Sequence, residues 1–307
     1  MQELCRELKY SHVLDPDVSH PHPMLIRTTT FNRLKLQVCS MKIGAKTSVH
    51  PERWEMIKEL VRIVDFIEVY YTDERISLAE LKKLETRWVV HGPHIAHGVD
   101  FTKLTKEGKD VFKKSIVLAN DLEAKYVIVH PGSFEEGKKG NMFGEMIRNI
   151  LLVKDFASDN GVSLIIENLY YFDTWPVELG ISTKPYHWFG HTPEEIKKIT
   201  KATRTDFLMD FAHAFLTSKS LGIDYKKIMN EFAALKSQMF HICDGTLASD
   251  KDEHLPLGKG EYDLPFFASL IGNKDVTLEV ASGKYPTLED FVESVNYLNK
   301  LGAKRTK

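Results

Sequence analysis

Nine imidazole and carboxylate side chains, His91, His130, Glu167, Asp210, His213, His241, Asp252, His254 and Glu279, fall one after another at or just beyond the ends of short apolar runs. In a parallel α/β protein, a polar residue that follows a buried run stands where a strand emerges into a loop, and there such folds carry their reactive groups. Taken singly, each has an ordinary explanation: a strand-end His satisfied by hydrogen bonds, or a Glu paired with a nearby Lys. Gathered in one mouth, they could not all stay charged without countercharge, because neighbouring carboxylates repel or take up protons. Divalent cations supply that charge. Nitrogen and oxygen donors suit Zn²⁺, with Mn²⁺ or Fe²⁺ as alternatives. The three cysteines, Cys5, Cys39 and Cys243, show no CxxC spacing, which fits a reducing compartment and argues against thiolate zinc sites.

The elements that must position these groups repeat. Strand-like runs occur at 41–48, 65–72, 87–94, 125–132, 162–170, 205–213, 238–245 and 275–282. They are nearly continuous rather than alternating, as expected of strands covered on both faces. Amphipathic segments fill the gaps. Thr192-Pro193-Glu194-Glu195 and Ser77 with Glu80 read as helix starts. Thr287 precedes a final helix with Leu288, Phe291, Val292, Val295, Leu298 and Leu301 as its apolar stripe. Eight βα units in series predict an α/β fold, a single (β/α)8 TIM barrel over 41–307, with a doubly wound open sheet as the alternative. Residues 1–40 stand apart as an N-terminal extension to which we assign no catalytic role. Its LKLQVCS stretch (34–40) is an alternative first strand, and His20 and His22 read as solvated loop histidines. The connection 170–191 is long and rich in Tyr, Trp and Phe, so it is either a substrate-contacting lid or a loop that packs its own aromatics.

Composition bounds the partners. The chain has 307 residues, 43% hydrophobic and 27% charged, with a formal net charge of -2, an ordinary globular composition with no global basic field. A nucleic-acid partner would therefore rest on a local patch and on bound metal. No apolar run approaches the ~20 residues needed to span a bilayer, and the N-terminus lacks an apolar signal-peptide centre. The expectation is a cytoplasmic protein without membrane or obligate protein partners.

The motifs VVHGPH, VIVHPGS, LIIEN, LMDFAHAF, FHICDG, DEHLPLGKG and TLEV, in this order over about residues 41–304, resemble the metal-binding motifs of the endonuclease IV class of apurinic/apyrimidinic endonucleases, within the xylose-isomerase-like barrel superfamily. The resemblance implies three zinc ions. It implies that Glu167 bridges two of them, that His91 and His130 complete one site, and that Asp210, His241 and Glu279 join Glu167 around the second. His213, Asp252 and His254 would hold the third. The implied reaction is cleavage of DNA 5′ to abasic sites by a hydroxide shared between ions, with Glu167 as the residue that also orients the attacking water.

Substrate-facing residues depart from the family pattern. His94 stands where the family commonly has an aromatic residue, LYYFDTWP replaces a small glycine-containing loop, and DFAHAF and HICDG replace D-T-C-H-A and H-x-N-D. A sugar or sugar-phosphate isomerase or epimerase of the same superfamily is thus the alternative. It would need one divalent ion on Glu167, Asp210, His241 and Glu279, which leaves His91, His130, His213, Asp252 and His254 without a purpose. A non-catalytic metal- or ligand-binding barrel is a third reading. Lys46, Arg75, Lys138, Lys139, Lys219, Lys251, Lys259 and Lys284 are candidate rim cations, and Phe143, Tyr171, Trp175 and Trp188 are candidate stacking groups.

Overall fold

The computed structural model describes residues 41–72, 75–134, 139–173 and 186–302. Residues 1–40, with His20, His22 and the proposed extension, lie outside them, as do Lys138 and Trp175. Eight parallel strands form the barrel: β1 (Lys42–Ser48), β2 (Phe66–Tyr70), β3 (Arg87–His91), β4 (Tyr126–Val129), β6 (Ser163–Glu167), β9 (Asp206–Asp210), β10 (Met239–Ile242) and β11 (Asp275–Leu278). Pairing of β1 with β11, Lys42 opposite Asp275 through Ala45 opposite Leu278, closes the circle. Closure excludes the open-sheet alternative, and each strand lies inside one of the eight apolar runs.

Strand alternation divides every run between two cores. Val127, Val129, Leu164, Ile166, Met209 and Ile242 join the main hydrophobic cluster shared with the helices. Their neighbours Phe66, Val89, Tyr126, Ile128, Ile165, Leu208 and Met239 form a separate cluster, the filling of the barrel. Because the period is two, the same inward rows continue to Glu68, His91, His130, Glu167, Asp210 and His241 at the upper end. The apolar plug and the polar centre are successive layers of the same strand faces. Gly44 makes room for this plug: a Cβ built there would meet a ring carbon of Phe66 at 2.2 Å. Gly44→Ala should therefore cost about 1–3 kcal/mol, read as a lower urea midpoint with an unchanged m-value.

The described residues include nine α-helices: α1 (Trp54–Ile63), α2 (Leu78–Leu81), α3 (Lys106–Asp121), α4 (Lys139–Asp159), α5 (Pro193–Thr203), α6 (Phe211–Leu221), α7 (Tyr225–Ala233), α8 (Leu264–Ile271) and α9 (Leu288–Lys300). The ninth arises because two helices link β9 to β10. The expected caps are present: Thr192 accepts from the Glu195 N–H, Ser77 from Glu80, and Thr287 forms a capping box with Asp290. Two local expectations change. The run 205–213 is not strand to its end, because the Asp210 side chain accepts from the His213 N–H at 2.7 Å and starts α6. On α9, Val292 is 38% exposed, while Asp290 and Ser294 turn inward to bond backbone and loop.

The described ends of the aromatic connection form sheet. Within it, β7 (Phe172–Asp173) and β8 (Tyr186–Trp188) pair antiparallel with each other, and β8 pairs with β5 (Ser133–Phe134). Trp188 and Phe189 are buried, so this segment does pack its own aromatics. Tyr171 and Phe172 also border the cleft described below.

Candidate metal centre

The inward rows deliver their polar ends to one place. Glu167, the last residue of β6, is fully buried, and its two oxygens face different neighbours. Oε2 lies 3.1 Å from His130 Nε2 and 3.4 Å from His91 Nε2. Oε1 lies 3.2 Å from His241 Nδ1 and 3.4 Å from His213 Nδ1. His241 Nδ1 is also 2.7 Å from Glu279 Oε1 and 3.9 Å from Asp210 Oδ2. Asp252 Oδ2 stands 3.1 Å from both His213 Nε2 and His254 Nε2. All nine sequence-identified residues thus belong to one connected cluster.

Several of the imidazoles are oriented by backbone. His91 Nδ1 bonds the Gly92 carbonyl at 3.0 Å, His213 Nδ1 the Asn168 carbonyl at 2.8 Å and His254 Nδ1 the Glu279 carbonyl at 3.0 Å. Donation from these Nδ1–H groups leaves each Nε2 lone pair available, the tautomer a metal ligand requires. His91 Nε2 is buried without a hydrogen-bond partner, an unsatisfied acceptor that a cation would occupy. Groupings of His91, His130 and Glu167, of Glu167, His241 and Glu279, and of Glu167, Asp210 and His213 each bring one donor atom per residue within 4.8 Å of one another. The donor set fits divalent metal.

The loop carrying Asp252 and His254 is held from below by Asp244. Its carboxylate accepts from the N–H groups of Gly258 and Gly260 at 2.9 Å and of Tyr262 at 3.1 Å. His254 takes φ 53°, a left-handed conformation costing about 1–3 kcal/mol in a non-glycine residue. The flanking Leu255–Asp244 bridge and the Ala281 N–H on the His254 carbonyl hold it there.

Charge explains the protonation of the metal-free cluster. Burial would lower His213, but Asp210 and Asp252 outweigh it and push the ring up to about 10. Burial opposes His254 likewise, yet Asp252 raises it to about 9. His91, buried and close to Lys46, falls to about 4. Desolvation and the neighbouring carboxylates push Asp210 up to about 7 despite His213. The raised pair stabilises the metal-free fold fully below pH about 6.5, the ordinary histidine value, and this contribution is lost as pH rises through 9 to 10. Zinc added near pH 7 must displace these protons. Binding heats should therefore differ between buffers of unlike ionisation enthalpy, and identical heats would contradict this assignment.

Sequence reasoning missed three contributors and one close neighbour. Glu68, inside β2, is fully buried and its Oε2 lies 3.0 Å from His241 Nε2 and accepts from Thr277 Oγ1 at 2.8 Å. It orients the ring that faces Glu167 and Glu279. Glu68→Ala should weaken metal binding about 10–100-fold in a chelator competition titration. The inward parity of Phe66, Glu68 and Tyr70 was the available signal. Lys46, a candidate rim cation, borders the cleft but is set against Glu279 with 10% of its side chain exposed, its ammonium 4.7 Å from the Tyr70 ring centroid. Asn168 ties β6 to β9, accepting from the Asp210 N–H at 2.8 Å and donating to its carbonyl at 3.0 Å. Cys243, two residues beyond His241, places Sγ 3.8 Å from Asp252 Oδ1.

Above the cluster lies a cleft of about 860 Å³ bordered by Lys46, Tyr70, His94, Tyr170, Tyr171, Phe172, Trp188 and Lys251. His94 stacks on His130, ring centroids 5.2 Å apart. Phe143 instead packs on Phe189 beside the core. Of the other proposed cations, Lys139 pairs with Glu195, Lys219 with Asp250, and Lys259 with Glu293. Lys284 rests over Tyr285, and Arg75 over Tyr71.

A closed parallel barrel with its polar centre at the carboxyl ends of the strands defines an α/β-barrel protein of the enzyme-bearing type. Residues 55–301 match the Xylose isomerase-like TIM barrel family, and the chain belongs to that family. It is 25% identical over 249 residues to a protein named probable endonuclease 4 from Halothermothrix orenii, covering 74% of this chain and 85% of that one. A second protein of that name, from Campylobacter concisus, is 28% identical over 198 residues, 60% of this chain and 66% of its own. Among solved structures, a D-tagatose 3-epimerase-like protein superposes with a TM-score of 0.62 at 20% identity, covering 85% of this chain and 97% of that one. This last likeness concerns the fold. No helix among the described residues is long and apolar enough to cross a membrane.

Proposed function

We propose that the chain is an endonuclease IV-like phosphodiesterase with a three-ion centre, which hydrolyses DNA 5′ to abasic sites. The observation that carries this reading is the third donor set. His213 and His254 both turn Nε2 to the same oxygen of Asp252 at 3.1 Å, and His91 and His130 flank the opposite side of Glu167. An isomerase centred on one ion has no use for either group.

His91, His130 and Glu167 would hold one ion, Glu167, Asp210, His241 and Glu279 a second, and His213, Asp252 and His254 the third. Zinc, or manganese or iron in its place, would there neutralise phosphate charge and make water nucleophilic near neutral pH. The protein's own groups do the rest. Glu167 offers one oxygen to each side, so it fixes the spacing of the flanking histidines. Glu68 and the Gly92, Asn168 and Glu279 carbonyls hold imidazole planes in place, so little reorganisation accompanies reaction. Lys46 adds a cation beside Glu279 for an anionic substrate. The Tyr171, Phe172 and Trp188 wall supplies apolar faces for a sugar or base turned out of a duplex.

Zinc-loaded protein should cut a duplex oligonucleotide at a single abasic site and leave a 3′-hydroxyl end. Failure of folded, fully metallated protein to do so removes the DNA substrate. The second reading, a sugar or sugar-phosphate isomerase, is favoured by one feature: the aromatic β5–β8–β7 sheet beside a cleft bordered by Tyr170, Tyr171 and Trp188, which suits a small ring. Interconversion of a ketose phosphate by the same preparation would support it.

A further inference from the structure

Cys243 lies outside every role assigned so far. It follows β10 directly, two residues beyond His241. Cys243 is 1% exposed, and its sulfur lies 3.8 Å from Asp252 Oδ1. Cys243, Asp252 and His254 form one of the groups whose donor atoms all lie within 4.8 Å of one another. Tetrahedral zinc, with bonds of about 2.3 Å to sulfur and 2.1 Å to oxygen, separates those ligands by about 3.6 Å, close to the distance seen.

We propose that Cys243 is a thiolate ligand of the ion held by Asp252 and His254, which makes this part of the centre a mixed sulfur, nitrogen and oxygen site. The thiol proton passes to solvent as the sulfur–metal bond forms, with no change of oxidation state. The expectation that metal is held by nitrogen and oxygen alone is thereby revised for this ion. Sulfur ligation favours zinc over manganese or magnesium at this position and makes the site sensitive to thiol oxidation. The proposal rests on the three-ion reading of the cluster but not on any substrate.

The test is cobalt reconstitution of the full chain in a Cys5→Ser, Cys39→Ser background, followed by electronic absorption and metal counting. The expected result is a near-ultraviolet sulfur-to-cobalt charge-transfer band that disappears in Cys243→Ser, with the other ions retained. Three bound cobalt ions without the band overturn Cys243 ligation and leave the three-ion centre standing. Binding of a single cobalt ion without the band overturns both. The native spectrum decides even where the serine variant folds poorly.

Discussion

Glu167→Gln should abolish hydrolysis, with activity falling about a thousandfold or more, the equivalent of several kcal/mol of lost metal-centred stabilisation. Glutamine keeps the shape of the side chain but has one acceptor oxygen and no charge. The His91–His130 pair on Oε2 and the His213–His241 pair on Oε1 could then no longer share one carboxylate. Metal content should fall together with activity while the circular dichroism of the barrel persists, because the β6 backbone pairs to β4 and β9 independently of that side chain. Full activity in Glu167→Gln would remove the carboxylate from the centre of the mechanism. A loss of activity with full metal content would give Glu167 a role in orienting water beyond its place between ions.

His213→Ala separates the two enzyme readings. The three-ion account expects one ion fewer per chain and no phosphodiester cleavage, again about a thousandfold loss or more. The isomerase reading needs only Glu167, Asp210, His241 and Glu279, so it tolerates the change. The substitution is well placed for a clean result: Asp210 caps α6 through the His213 backbone N–H, which alanine retains. The ring's own bonds, to the Asn168 carbonyl and Asp252, are the ones lost. Sugar-phosphate turnover that survives in His213→Ala would favour the smaller centre.

Much of the barrel was legible because both faces of each strand are buried, so apolar runs such as YVIV and SLII stand out between amphipathic segments. Most of the polar residues were legible for a related reason: His91, His130, Glu167, Asp210, His241 and Glu279 end or follow such a run where the inward row reaches the mouth, while His213 sits in the first turn of α6 and Asp252 and His254 on the loop after β10. Glu68 escaped notice because it sits within a strand, between Ile67 and Val69, rather than at its end. Its partner is Thr277 on a strand two places round the barrel. Cys243 escaped because cysteine ligands are usually sought by sequence spacing, whereas here Asp252 reaches it by a return of the chain. The start of α6 was hidden by hydrophobicity: Phe211, Ala212, Ala214 and Phe215 are buried in a helix, and a continuous apolar run does not distinguish that from strand. The aromatic connection was ambiguous because Trp188 is core while Phe172 is 41% exposed, and composition alone cannot divide them.

The claim on which all else depends is that these side chains assemble a three-ion centre. The most direct measurement is the metal content of the full chain purified without chelators, by elemental analysis against protein concentration. The account predicts about three ions per chain, predominantly zinc. A reproducible single ion, unchanged in His213→Ala, would contradict it.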